Sequence, residues 1–374
     1  MVFTKKSFDI MNTQGIISIE NNLTTILLKK EDTMRVAMYY NNKDIRIEEA
    51  KIPHIGPGEL LVKVMASGIC GSDVMEWYRI KKAPLVLGHE IAGEITAVGE
   101  GVKRFKVGDR VTVAHHVPCN TCYYCMNGHY SVCDTLRTTN FYPGGFSEYL
   151  RVPQINVDRG TFVLPDNVSF EEGTFAEPLA CTLLGQKKAN LHPGQSVLVI
   201  GSGISGLLHI QLARALGAGK IFAVDITDFR LKMAKQAGAD VAIHAKDDVP
   251  ACLRKTNYGR LADHVIVCTG AALAIEQAFN TVDRGGTILF FAPTEPDATV
   301  PMKLWDLWRN CNSIIMSYAG PPDDTAASLE LISAGRVKVK DMITHRLGIA
   351  ETALGFKLVA EAKESVKVII EPHR

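Results

Sequence analysis

The chain has 374 residues and a formal net charge of +1, and its 47% hydrophobic and 22% charged residues describe a folded globular protein of two or three domains. Lysine plus arginine (41) nearly cancels aspartate plus glutamate (40), so no overall field attracts nucleic acid or an anionic membrane. No apolar run approaches the roughly 18 residues of a membrane span, a signal-peptide core is missing, and the nine cysteines cannot all pair. We therefore expect a cytoplasmic protein without a disulfide framework.

The sequence pattern changes several times along the chain. Residues 1–33 are polar and are predicted to form an extension, and Met34, where a strand pattern begins, is a candidate start of the natural protein. From 34 to 181, short β-branched runs separated by Gly and Pro predict a β-rich, barrel-like domain. From 182 to 318, near-continuous apolar runs alternate with helical stretches and predict a doubly wound parallel sheet. Residues 319–374 carry two helical patterns and a closing strand, which we expect to pack back on the first domain.

Four cysteines lie close together in the segment PCNTCYYCMNGHYSVC. They are Cys119, Cys122, Cys125 and Cys133. Their C-x2-C-x2-C-x7-C spacing favours a zinc ion held by four thiolates, which leaves no open position and so indicates a structural role. An iron–sulfur cluster and buried free thiols are the alternatives. No Lys or Arg lies in this segment, so a zinc ribbon that grips a phosphate backbone is excluded.

A second set of metal-binding residue types is spread over the segments GICGSD, LGHEIAGE and AEPLAC. These segments supply Cys70, His89, Glu90 and Glu177. A mixed sulfur, nitrogen and oxygen donor set suits a catalytic zinc with a replaceable position. A lone Cys or His is more often a packed core residue, so from the residues alone both interpretations stay open.

A nucleotide-binding fingerprint follows the strand pattern VLVI. Gly201, Gly203 and Gly206 have G-x-G-x-x-G spacing, Ile204 and Ser205 lie between the last two glycines, and a helical pattern follows. The first glycine allows a tight turn, the second lets the backbone approach a pyrophosphate, and the third allows close packing of helix and strand. The helix N-terminus then faces the phosphates.

An acidic residue stands at the distance that a dinucleotide site requires. Asp225 ends the strand pattern IFAVD, nineteen residues after Gly206. Its carboxylate can accept hydrogen bonds from the adenosine ribose and would repel a 2′-phosphate, which favours NAD over NADP. Arg230 lies five residues later and could host such a phosphate, so NADP is the alternative. A glycine turn that binds no nucleotide is the third interpretation.

With these motifs in this order, residues 34–374 resemble the zinc-dependent medium-chain dehydrogenases, the family of alcohol, sorbitol and threonine dehydrogenases. The resemblance implies a GroES-like β domain that carries a catalytic and a structural zinc, and a Rossmann domain that binds the cofactor. The four clustered cysteines would hold the structural zinc. Cys70 and His89 would ligate the catalytic zinc, with Glu90 coordinating it or lying behind it. Glu177, where alcohol dehydrogenases have a second cysteine, resembles the sorbitol and polyol branch.

The resemblance also assigns residues to the reaction. Ser72 matches the hydroxyl that bonds the substrate oxygen and begins proton transfer. Many members have a histidine five residues after the ligand cysteine, but this chain has Met75, so the onward proton route must differ. Lys367 lies where members often place a basic residue near the cofactor. The segment 74–84, VMEWYRIKKAP, is expected to line the substrate cleft, where its cations attract an anion or only face solvent.

The implied reaction is reversible oxidation of an alcohol to a carbonyl, in which zinc acts as a Lewis acid and NAD accepts hydride. Polyols of the sorbitol or cyclitol kind are the leading substrates. L-threonine, another secondary alcohol and a sugar-alcohol phosphate are the alternatives. A non-catalytic protein that binds NAD or zinc is the rival of a different class. Family members are often dimers or tetramers, so a homo-oligomer is expected.

Overall fold

The computed structural model describes residues 33–374. The predicted extension lies outside the described residues except for Thr33. The first strand begins at Thr33, one residue before Met34, where the strand pattern was predicted to begin. From residue 33 onward, no helix has the length and apolar character that a bilayer crossing requires.

The first part of the chain is built of short, mostly antiparallel strands. These are β1 (Thr33–Asn41), β2 (Asp44–Lys51), β3 (Leu60–Gly68), β4 (Leu85–Val86), β5 (Glu90–Val98), β6 (Arg110–Ala114), β7 (Tyr149–Val152) and β8 (Thr161–Val163). Short helices lie between these strands and after the last of them: α1 (Glu76–Arg79), α2 (Tyr123–Met126), α3 (Asp134–Thr138), α4 (Gln154–Gly160) and α5 (Phe170–Gly173). Every second residue of β3 from Leu60 to Val64 is fully buried, as the two-residue repeat of a half-buried strand requires.

The middle of the chain alternates helices and strands. The elements are α6 (Ala176–Lys188), β9 (Val197–Ile200), α7 (Ile204–Ala215), β10 (Ile221–Asp225), α8 (Asp228–Gln236), β11 (Val241–His244), α9 (Val249–Thr256), β12 (Ala262–Val267), α10 (Ala272–Thr281), β13 (Val282–Phe290), α11 (Leu304–Arg309) and β14 (Ser313–Met316). The strands pair in the order β11-β10-β9-β12-β13-β14, all parallel. All residues of β9 and β10 are buried because helices cover both faces of the sheet. The strand order reverses between β9 and β12, the position where such sheets bind nucleotides.

The end of the chain returns to the first sheet. Its elements are α12 (Pro322–Ser333), β15 (Ile343–Gly348), α13 (Thr352–Glu361) and β16 (Lys367–Glu371). β16 pairs antiparallel with β3, which places Ile369 opposite Gly68, and the seven-stranded sheet runs β15-β16-β3-β5-β6-β8 with β7 also on β3. The last strand of the chain therefore lies in the same sheet as β3. The domain boundary predicted after residue 181 falls inside α6, a continuous helix, and the division of the chain stays a prediction.

Candidate active site

The four clustered cysteines converge on one point. One sulfur from each of them lies within 4.8 Å of the others. The Sγ atom of Cys125 is 3.5 Å from that of Cys122 and 3.9 Å from that of Cys119. Sulfurs bonded to one zinc at about 2.3 Å in a tetrahedron lie about 3.8 Å apart, so the spacing fits zinc.

The backbone around two of these sulfurs, those of Cys119 and Cys133, favours the thiolate form. The N–H groups of Thr121 and Cys122 donate to Cys119 Sγ at 3.4 and 3.2 Å, and the N–H of Cys119 donates to Cys133 Sγ at 3.4 Å. Hydrogen bonds from Thr121 and Cys122 lower the pKa of Cys119 to about 5. A stabilised thiolate is the form that ligates a metal, so the cluster fits the predicted structural zinc.

A second cluster brings together three of the four predicted catalytic ligands. One donor atom from each of Cys70, His89 and Glu90 lies within 4.8 Å of the other two. Glu90 begins β5 and pairs with Gly68, the last residue of β3, so two neighbouring strands bring their ends together at this edge. The arrangement follows from the antiparallel pairing and not from any spacing along the chain.

Asp73, which sequence reasoning did not single out, supports this cluster. Its completely buried carboxylate accepts the N–H of Cys70 at 3.0 Å and lies 3.3 Å from Nδ1 of His89. This contact orients the imidazole and leaves Nε2 for a metal. Burial lowers the pKa of His89, but the negative charges of Asp73 and Cys70 outweigh burial and hold it well above its usual value. The site therefore favours a positive charge at its centre, which a zinc ion supplies.

Glu177 lies in the first turn of α6, outside the three-residue cluster. The thiol of Cys181, one turn further along, lies 3.5 Å from Glu177 Oε1 and is placed to donate a hydrogen bond to it. Burial raises the pKa of the Glu177 carboxyl, while the nearby charge of His89 acts in the opposite direction. The structure thus places Glu177 within electrostatic range of the cluster, and direct ligation by Glu177 stays a prediction.

Lys367 lies behind the cluster. Its ammonium group is completely buried and donates to the Glu90 carboxylate and, at 3.4 Å, to the carbonyl of Ile69. The expected contact between Lys367 and the cofactor stays a prediction, because the structure pairs this ammonium with Glu90.

Ser72 follows Cys70 in a short 3₁₀ helix. Its N–H donates to Cys70 Sγ at 3.4 Å, so the predicted proton-handling residue is adjacent to a predicted zinc ligand. Its hydroxyl oxygen accepts a hydrogen bond from Arg79 at 2.9 Å. Segment 74–84 was expected to line the cleft, but this contact was not foreseen.

Two histidines next to the cluster were also missed. His115 and His116 directly follow β6, the neighbour of β5 in the sheet. The ring of His115 lies 4.8 Å from that of His89 and 3.8 Å from that of His116. Burial, helped by the positive charge of His89, lowers the pKa of His116 to about 4, so this ring is neutral at neutral pH. The sequence offered one signal for this pair, since both histidines directly follow the apolar strand pattern of β6. That strand pairs with β5, which begins at Glu90.

The glycine fingerprint adopts the geometry of a phosphate-binding turn. Gly201 directly follows β9 and has a φ of +93°, which other residues rarely adopt. A Cβ atom on Gly206 would overlap the carbonyl oxygen of Gly201, so only glycine fits there. The helix α7 begins at Ile204, and Ser205 is its second residue, so its N-terminus opens at the turn.

Asp225 and Arg230 flank this turn. Both oxygens of the Asp225 carboxylate accept backbone N–H groups: Ser202 donates to Oδ2 and Ile226 donates to Oδ1, each at 2.8 Å. A Cβ atom on Gly203 would lie 3.5 Å from Arg230 Nη1, and Arg230 Nε is buried without a hydrogen-bond partner in the described part of the chain. A guanidinium with an unpartnered Nε, beside a glycine turn and a helix N-terminus, fits an anionic dinucleotide.

Comparison with known proteins agrees with this geometry. Residues 56–160 match the alcohol dehydrogenase GroES-like domain and residues 205–334 match the zinc-binding dehydrogenase domain. The sorbitol dehydrogenase of Bacillus subtilis (strain 168) is 32% identical over 355 residues, which cover 91% of this chain and 98% of that protein. The sorbitol dehydrogenase of Gallus gallus is 30% identical over 347 residues, 88% of this chain and 93% of that protein.

A solved structure extends the comparison. A Sinorhizobium meliloti 1021 protein, described as a zinc-binding dehydrogenase and bound to NADP, superposes with a TM-score of 0.81 at 27% identity, over 91% of this chain and 99% of that one. The expected fold, a GroES-like β-rich domain with a Rossmann-type parallel sheet, is confirmed. The chain therefore belongs to the zinc-binding medium-chain alcohol dehydrogenase family and is an oxidoreductase of that class.

Proposed function

We propose that this protein catalyses the reversible oxidation of a secondary alcohol in a polyol, of the sorbitol or cyclitol kind, to a ketone with NAD. The observation that carries the proposal is the cluster of Cys70, His89 and Glu90, with the hydroxyl-bearing Ser72 next to Cys70. The acidic Glu177 near the cluster, in place of a second cysteine, favours a polyol over a simple alcohol. The sorbitol dehydrogenases named above support the same class.

When bound, zinc supplies a Lewis acid and NAD supplies a hydride acceptor. Cys70 and His89 would hold the catalytic metal, with Glu90 or Glu177 as the exchangeable acidic partner. Ser72 would accept the proton of the substrate hydroxyl and release its own toward solvent near Glu177 or the cofactor ribose. Met75 stands where many family members have a proton-transferring histidine, and its thioether takes up no proton. The guanidinium of Arg79, which contacts Ser72, takes up no proton either, so the proton must leave Ser72 by another route.

The cofactor preference and the zinc count belong to the same proposal. The carboxylate of Asp225 lies at the end of β10, where it would repel a 2′-phosphate, and we favour NAD although the Sinorhizobium protein binds NADP. The four-cysteine cluster would hold a second, structural zinc. We also propose a reducing compartment, the cytoplasm, because the odd number of cysteines cannot form a complete disulfide framework.

A homo-oligomer is also proposed, on the evidence of one exposed face. β14 is an edge strand of the parallel sheet, and the preceding helix α11 presents Leu304, Trp305 and Trp308 with 67–70% of their surface exposed. Unpaired strand edges and large exposed apolar patches are usually covered by a partner. A second copy of this chain, pairing β14 with β14, would cover both features.

A sugar-alcohol phosphate is the second candidate substrate, because Lys81 and Lys82 are adjacent and exposed in the segment that follows Ser72. The test incubates the purified protein with NAD or NADP and a panel of sorbitol, xylitol, myo-inositol, L-threonine and sorbitol 6-phosphate, and follows absorbance at 340 nm. We expect turnover of a polyol with NAD. Absence of turnover across the panel with both cofactors would contradict the proposal and favour a non-catalytic binding protein.

A further inference from the structure

Arg79 contacts the residue that is proposed to handle the proton. Its Nη2 donates to Ser72 Oγ at 2.9 Å, and its Nε donates to the Ser72 carbonyl oxygen at 3.0 Å. The same Nη2 lies 3.4 Å from Oδ1 of Asp73. The guanidinium therefore donates hydrogen bonds to both the side chain and the backbone of Ser72.

The surroundings of Arg79 hold the guanidinium in place. Its side chain is only 15% exposed, although it lies in a segment rich in exposed cations. It lies over the ring of Tyr78, 4.7 Å from the ring centre, and against the completely buried Asp73. This is an ordered group and not a solvated surface arginine.

The chemistry of a guanidinium determines the direction of the hydrogen bond. The group has five donors and no acceptor, and it stays charged in proteins. Ser72 Oγ is therefore the acceptor, and the hydrogen of its hydroxyl must point away from Arg79. Met75, which stands where many family members have a histidine, offers Ser72 no comparable partner.

We propose that Arg79 is the positioning residue for Ser72. By occupying one lone pair of the hydroxyl oxygen, it fixes the side chain in one conformation, leaves the second lone pair for the substrate hydroxyl and leaves the hydroxyl hydrogen for the onward proton acceptor. The inference rests on the proposed function, since it concerns how Ser72 meets the substrate hydroxyl. Arg79 itself takes no proton and does not touch the substrate.

The test compares Arg79→Met and Arg79→Lys with the wild-type holoenzyme. Arg46→Met is the matched control, because Arg46 also bonds an aspartate and lies over a tyrosine ring, but its side-chain hydrogen bonds in the described part of the chain go to Asp44 and not to Ser72. We expect Arg79→Met to lower kcat per bound zinc about 10- to 100-fold, as for a lost hydrogen bond to a charged group, while KM, NAD affinity and zinc content stay within about threefold. Arg79→Lys should lower kcat per bound zinc about 3- to 10-fold. Guanidinium added to the assay should partly restore the kcat of Arg79→Met, and Arg46→Met should have the kcat of the wild type.

A double-mutant cycle tests whether Arg79 acts through Ser72. In a Ser72→Ala background the Arg79→Met substitution should cost less than threefold in kcat. If Arg79→Met lowers kcat as much in the Ser72→Ala background as in the wild type, the proposal is overturned. An effect of Arg79→Met on KM alone would also overturn it. So would a fall in zinc content parallel to the fall in kcat, because Arg79 would then act on the metal site through its contact with Asp73. If Arg79→Met does not fold, the same double-mutant cycle is measured with Arg79→Lys. A kcat of Arg79→Lys equal to that of the wild type would overturn the proposal.

Failure of the proposed function is distinguishable from failure of this inference. Wild-type protein that oxidises no alcohol contradicts the function. Crystal structures of the wild type and of Arg79→Met or Arg79→Lys still test the positioning, since we expect Ser72 to lose its single conformation in the variant. An identical Ser72 conformation in both would overturn it.

Discussion

The ammonium group of Lys367 and the carboxylate of Glu90 form a fully buried ion pair directly behind the proposed catalytic metal site. The two residues lie on β16 and β5, on either side of β3. Gly68 of β3 lies between them, and a Cβ atom there would collide with both side chains. The pair therefore connects the last strand of the chain to the metal cluster, with the Lys367 ammonium 5.6 Å from the centre of the Phe175 ring.

Removing Lys367 should destabilise the fold. Lys367→Met leaves the Glu90 carboxylate buried without its partner, and the loss of one member of such a pair costs about 3–5 kcal/mol of unfolding free energy. Chemical denaturation of both proteins measures the difference. Lys357→Met, whose ammonium is largely exposed, is the control and should change stability by less than about 0.5 kcal/mol. Equal stability of Lys367→Met and the wild type would contradict the importance of the pair.

The two glycines Gly203 and Gly206 should respond differently to alanine. Gly206→Ala forces an atom onto the Gly201 carbonyl oxygen, so it should destabilise the turn and the fold. Gly203→Ala has room in the structure and should keep its stability but lose NAD affinity at least tenfold, since the new methyl group meets the pyrophosphate. Thermal unfolding and fluorescence titration with NADH check the two effects. Unchanged NADH affinity in Gly203→Ala would argue against the proposed cofactor position.

Loss of one clustered cysteine should remove one zinc. Cys125→Ser should lower the metal content measured by mass spectrometry from two zinc ions per chain to one and lower the melting temperature, because the lobe depends on its metal. Cys252→Ser, in α9 and outside the cluster, is the control and should keep both ions. A Cys125→Ser protein with two ions would rule out the closed four-thiolate site.

Asp225 should control cofactor preference. Asp225→Gly removes the carboxylate that would repel a 2′-phosphate, so the ratio of kcat/KM for NADP to that for NAD should rise at least tenfold. Absolute activity with both cofactors should fall, because Ser202 and Ile226 lose their hydrogen-bond acceptor. Asp228→Asn, three residues along and exposed, should leave the ratio unchanged. A constant ratio in Asp225→Gly would remove the support for NAD.

Patterns that depend on local sequence were predictable. The apolar strands of the parallel sheet, the glycine turn and the four-cysteine cluster each lie within a short segment whose spacing specifies the geometry. Contacts between distant segments were not. Lys367 and Glu90 are 277 residues apart, and only the pairing of β16 with β3 brings them together.

Polar residues inside the site were the hardest to foresee. Asp73 and Arg79 occur in a polar segment where side chains normally face solvent, so nothing in the local pattern shows that Asp73 is buried against His89 or that Arg79 bonds Ser72. His115 and His116 were equally hard to foresee, because only the pairing of β6 with β5 places them next to His89. The family resemblance predicted the ligands, and the tertiary structure showed the residues that contact them.

The most direct test of the central claim is NADH formation by the purified protein, with and without His89. We predict that the wild type with bound zinc oxidises a polyol, and that His89→Ala keeps its fold and NAD affinity but loses turnover. The measurement is the increase in absorbance at 340 nm together with the zinc content of each sample. Retained turnover in a metal-depleted His89→Ala sample would contradict the zinc-dependent account.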